Sequence, residues 1–129
     1  MKNKIRYHTE GRYFEITMYG EVSIEQLIEL FADCLRHPQH SESIGYLSDY
    51  RQATPMFNFD DFQRLVDYAK QFSSSTNRNY LSAAVLADSV DLEFAKIYES
   101  FSSQLKNEEF RIFNTIEAAR KWIRDEGRL

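Results

Sequence analysis

The chain has 129 residues, 43% of them hydrophobic, and a formal net charge of −4, which suits one domain over residues 1–129 with a core that needs neither disulfide nor metal. Its charges are interspersed without a basic block, which argues against a nucleic-acid partner held by phosphate contacts. A single cysteine, Cys34, excludes an internal disulfide and a cysteine-rich zinc site, and no stretch approaches the roughly 20 apolar residues of a membrane span.

Two strands open the chain. Ile5, Tyr7 and Thr9 alternate with Arg6 and His8, and Phe14, Ile16 and Met18 alternate with Tyr13, Glu15, Thr17 and Tyr19. Glu10-Gly11-Arg12 suits the turn between them, with Gly11 taking a positive φ. Period-two alternation predicts a hairpin at a sheet edge with one face only partly buried. His8 is expected at the surface, and Tyr7, Tyr13 and Tyr19 are expected to share a face suited to an interface.

Gly20 is expected to end the second strand. Ser23 then reads as a helix N-cap, with Gln26 as its reciprocal partner. Ile24, Leu27, Ile28, Phe31, Cys34 and Leu35 recur at helical spacing, which makes Cys34 a buried structural thiol, and Pro38 stops the helix. His37 and His40 are three residues apart, but Pro38 breaks the helix between them and no third ligand is adjacent. No metal site is expected.

Ile44–Tyr50 reads as a strand, 51–58 as a loop, and Phe59 to Phe72 as a helix with Phe59, Phe62, Leu65, Val66, Ala69 and Phe72 on one face. Asp60 and Asp61 favour that helix start through the dipole. Tyr80–Ala87 reads as a strand covered on both faces, followed by a helix at 92–105, a strand at Phe110–Phe113 and a helix capped by Thr115. The order ββαβαβαβα predicts an α/β fold: a five-stranded mixed sheet with an antiparallel first strand and right-handed crossovers.

Four segments, Leu81-Ser-Ala-Ala-Val-Leu-Ala-Asp-Ser89, Phe94-Ala-Lys-Ile-Tyr98, Phe110-Arg-Ile-Phe113 and Glu117-Ala-Ala-Arg-Lys-Trp-Ile123, with a weaker match at Tyr46-Leu-Ser-Asp49, carry a resemblance. They resemble the SpoIIAA-like fold of STAS domains, nearest to bacterial single-domain STAS/SEC14-type proteins. The resemblance implies a regulatory or binding module. Anti-sigma-factor antagonists of this type carry a phosphorylated serine at the start of the second helix. The corresponding segment here, Ala53 to Asp61, has no serine and no glycine, and Thr54 is its only hydroxyl.

Ligands of open α/β sheets bind beyond the C-terminal ends of the parallel strands. On this reading Asp49, Arg51, Thr54, Asp88 and Ser89 are the candidates for holding a polar or anionic group, with Thr54 as a candidate phosphoacceptor. No nucleophile elbow, phosphate loop or dinucleotide fingerprint occurs in the sequence, so neither an enzyme nor a cofactor is expected. Two functions compete. One is a cytoplasmic, homodimeric module acting through contact with a protein partner. The other is a carrier or sensor of a small apolar or lipid-like ligand, with Met56 and Phe57 in an adaptable apolar lid. The start of the chain has no apolar run of the signal-peptide kind, which is why a cytoplasmic location is expected.

Overall fold

The computed structural model describes residues 2–74, 79–87, 96, 99–100 and 108–127. Five strands form one sheet in the order β1-β2-β3-β4-β5: β1 (Lys2–His8), β2 (Tyr13–Val22), β3 (Gly45–Pro55), β4 (Tyr80–Val85) and β5 (Glu108–Phe113). β1 runs antiparallel to β2, and β2 to β5 are mutually parallel. The helices are α1 (Ile24–Arg36), α2 (Phe59–Ser74) and α3 (Ile116–Glu126), with a short 3-10 turn at His40–Glu42. The expected five-stranded mixed sheet with an antiparallel first strand is present. Of the helix expected at 92–105, only Lys96, Glu99 and Ser100 are described, and all three are helical.

Alternation along the strands sorts side chains into two layers. Phe14, Ile16 and Met18 of β2, with Tyr46 and Tyr50 of β3, pack under α1 and α2, meeting Leu27, Leu30, Cys34, Phe62 and Leu65. Tyr13, Leu47, Ala83 and Val85 point the other way and pack under α3, meeting Ile116, Ala119, Trp122 and Ile123. Each large side chain buried this way contributes roughly 1.5–3 kcal/mol. β4 is covered on both faces, which explains its unbroken apolar run. At Gly45 a side chain would run into the Leu81 carbonyl of β4, so only glycine allows the two strands to start side by side.

Local chemistry sets the helix ends. Gln26 N donates to Ser23 Oγ (3.2 Å) and Ser23 N donates to Gln26 Oε1 (2.8 Å), so the expected capping box forms. Asn58 and Asp61 cap each other in the same reciprocal way, both bonds being 2.9 Å. Thr115 Oγ1 accepts from Ala118 N at 3.2 Å.

Four expectations are corrected. Gly20 does not end β2; it takes φ 78° inside a strand that continues to Val22. The positive φ of the hairpin turn falls on Arg12 (φ 57°) rather than on Gly11. The segment 51–55 is strand and not loop: β3 absorbs one extra residue between Asp49 and Gln52, and pairing with β2 resumes past this bulge as far as Pro55. Phe59 lies at the surface and does not join the buried face of α2, whereas Leu30 joins the buried face of α1.

Candidate functional site

β3 is the middle strand, and Asp49 sits within it. The residue is 5% exposed, and its carboxylate accepts three bonds from Arg51: from Nε (2.9 Å), from Nη2 (2.9 Å) and from the backbone N–H (3.1 Å). The two residues expected to face a ligand therefore satisfy each other. A buried carboxylate needs such a partner, and a fork of guanidinium donors supplies it. Thr54 is exposed and stands opposite Glu21 of β2, away from this pair. Asp88 and Ser89 lie outside the described residues. The structure thus brings Asp49 and Arg51 together and leaves Thr54 apart.

Beyond β3 the chain crosses over the end of the sheet. Met56 N–H donates to the Val22 carbonyl at 2.9 Å, which ties the crossing to the end of β2. Phe57 turns inward and meets Phe62 edge-on, ring centres 5.6 Å apart. Met56 and Phe59, on either side of it, are exposed by 55% and 65%, the two large hydrophobic side chains most open to solvent among the described residues. The Asn58–Asp61 cap between them fixes the start of α2, so both side chains stand on ordered backbone.

A second polar cluster is absent from the sequence-based candidates. Glu15 of β2, 8% exposed, takes both oxygens into contact with Arg120 of α3, to Nε at 2.8 Å and Nη2 at 2.9 Å. His8 of β1 adds a third contact, Nε2 to Glu15 Oε1 at 3.1 Å; a carboxylate only accepts, so Nε2 carries the proton. Burial pushes the Glu15 carboxyl up, but the hydrogen bonds and charge of Arg120, with those of His8, outweigh it and hold the group below its ordinary value. Burial also lowers His8, and the Glu15 charge only partly offsets that. His8 is thus half-buried and bonded, contrary to its expected exposure. Its ring stacks on Tyr13 at 4.4 Å. The expected tyrosine face does not form either: Tyr13 is buried under α3, while Tyr7 pairs with Phe14 and lies on the opposite face.

A third group gathers where β2 to β5 begin. His40 Nε2 lies 3.0 Å from the Tyr46 hydroxyl, and the Tyr46 ring stacks near Phe14 (6.0 Å) and Tyr80 (6.1 Å). Across from Tyr80, burial pushes the Glu108 carboxyl up to about 7, partly offset by a hydrogen bond with Ser82. His37 Nδ1 accepts from Gln39 N–H at 3.0 Å, which occupies that ring nitrogen. Among the described residues no three His, Cys, Asp or Glu side chains stand close enough to share a metal ion. Cys34 is buried in the α1 face, and desolvation drives its thiol up to about 12.

Similarity to known proteins lies in the architecture. No family model and no curated protein matches the sequence. The structure is similar to that of the anti-sigma factor antagonist SpoIIAA in its unphosphorylated form, with a TM-score of 0.61, 10% identity, and coverage of 95% of this chain and 98% of that one. It is also similar to an uncharacterized protein of the DUF3478 family from Shewanella loihica, with a TM-score of 0.56, 17% identity, and coverage of 95% and 92%. Among the described residues no helix is long and apolar enough to cross a membrane. At these identities the likeness speaks to the fold, and it agrees with the strand order, the antiparallel first strand and the placement of the helices: the chain has a SpoIIAA-like fold.

Proposed function

We propose that the protein is a non-enzymatic, cytoplasmic binding module that acts by contact with another protein through the surface at the start of α2. The exposure of Met56 and Phe59 on a fixed backbone carries this reading. Methionine and phenylalanine are enriched at protein interfaces, and a rigid support lowers the ordering cost of association. The likeness to SpoIIAA, whose description as an anti-sigma factor antagonist implies action on another protein, supports the same reading. The polar clusters support it too, because their acids are already paired: Asp49 with Arg51, and Glu15 with Arg120 and His8.

Thr54 has no part in this proposal. A phosphate there would stand opposite the Glu21 carboxylate, and like charges directly across a strand pair repel. Self-association as a homodimer is the simplest use of the Met56–Phe59 surface. The test uses the wild type and M56S/F59S as paired baits in extracts of cells that produce the protein, with size-exclusion of each alone. A stoichiometric polypeptide, or a second copy, held by the wild type and released by the double variant supports the proposal. Identical capture and identical size for both proteins contradict it.

A further inference from the structure

Among the described residues, the outer side of β1 is a sheet edge. β1 is first in the sheet order and pairs on its inner side with β2, so along seven residues its outward N–H and C=O groups meet no strand among the described residues. Edges of this kind accept an added strand unless something prevents it.

The side chains along this edge divide by face. Lys2, Lys4 and Arg6 stand opposite Tyr19, Thr17 and Glu15 and share their face. All three are exposed, and none has an ion-pair partner within 4.0 Å among the described residues. The nearest acid, Glu15, directly across from Arg6, is already committed to Arg120 and His8. On the other face Ile5 and Tyr7 are half-buried and pack against the core around Phe14. β1 therefore carries a cationic row, Lys2, Lys4 and Arg6, on one face, and on the other the polar Asn3 followed by the apolar pair Ile5 and Tyr7.

We propose that the β1 edge docks an extended segment of a partner protein in which acidic residues alternate with apolar ones. Directly opposite residues of paired strands have side chains about 4.5–5.5 Å apart on the same face. An added strand would thus set carboxylates beside Lys2, Lys4 and Arg6 and apolar groups beside Ile5 and Tyr7. The backbone supplies affinity, and the two rows supply selection. A second copy of this chain does not fit. Antiparallel self-pairing centred on Lys4 sets Lys4 against Lys4 and Lys2 against Arg6, with like charges in contact. The edge is carried by a different element from the Met56–Phe59 surface, so either proposal can fail alone.

The test measures fluorescence anisotropy with a labelled, end-blocked heptapeptide of alternating Glu and Val at physiological salt. The comparison probes are a Lys–Val peptide, a Glu–Val peptide N-methylated along one edge, an oligonucleotide and vesicles of anionic lipid. The Glu–Val peptide is expected to bind saturably, at least about tenfold more weakly to K4E/R6E than to the wild type. The Lys–Val peptide should bind K4E/R6E in preference to the wild type. N-methylation, which leaves every charge in place, should abolish binding to the wild type, so the result does not depend on the variant folding. Three results overturn the proposal: no saturable binding, equal binding of the N-methylated peptide, or oligonucleotide or vesicles binding the wild type as tightly as the peptide does.

Discussion

Glu15 and Arg120, 105 positions apart in the chain, meet through two parallel hydrogen bonds of 2.8 and 2.9 Å that fasten α3 to β2. The pair lies at the margin of the layer formed by Tyr13, Leu47, Trp122 and Ile123. Removing Arg120 leaves a nearly buried carboxylate held by His8 and costs about 1–3 kcal/mol, toward the lower end because Arg120 is partly open to solvent. In a double-mutant cycle by urea unfolding, R120A should be the more damaging single change, and adding E15Q should restore part of the loss. Simple additivity would show that the two side chains do not act together.

Stability should respond to acid through the same cluster. His8 and Glu15 both have folded pKa values below their ordinary ones, so the folded chain binds fewer protons than the unfolded chain. Their contribution is complete above about pH 6.5 and is lost as pH falls, His8 first and Glu15 through the carboxylate range. H8Q should flatten the step near pH 6.5 in a plot of unfolding free energy against pH. An unchanged step would place its origin elsewhere.

Glu108 has the opposite sign. Burial raises it from 4.5 to about 7, so the folded state keeps a proton that the unfolded chain releases. Its contribution is present below about pH 4.5 and is lost as pH rises to about 7. E108Q should be more stable than the wild type at pH 8, on the order of 1–3 kcal/mol, and indistinguishable near pH 4. Equal stability at pH 8 would contradict the assignment.

Arg12 occupies φ 57° in the hairpin turn, where a side chain is disfavoured. R12G should raise the unfolding free energy by about 0.5–1 kcal/mol, visible as a higher midpoint in thermal denaturation. A lower midpoint would mean that contacts of the Arg12 side chain outweigh the backbone cost.

Cys34 should resist alkylation in the folded protein. Its thiol is fully buried and raised to about 12, so almost no thiolate exists at pH 8. Iodoacetamide followed by mass measurement should give unmodified protein under native conditions and one adduct in denaturant. Rapid native modification would count against this burial.

The features legible in the sequence are those that depend on near neighbours. Ser23 and Gln26 are three residues apart, and their capping box forms as expected. The alternation of Phe14, Ile16 and Met18 and the run at Ala83 mark strands because burial follows the pleat. The end of β3 was hidden by the bulge between Asp49 and Gln52, which breaks the alternation and makes strand resemble loop. From sequence alone Asp49 and Arg51 therefore read as a strand end open to a ligand, whereas both lie within β3 and bond each other. The Glu15–Arg120 pair leaves no local signal. The cationic row of β1 is not legible as a basic block, because Lys2, Lys4 and Arg6 are interspersed in sequence and the strand register gathers them on one face.

The most direct test of the functional reading is photo-crosslinking in living cells that produce the protein. A benzophenone amino acid would replace Phe59, with Lys121, an exposed position on α3, as the control. The account predicts one discrete protein adduct from position 59 and none from position 121. No adduct at 59, or the same adducts from both positions, would contradict a docking surface at the start of α2.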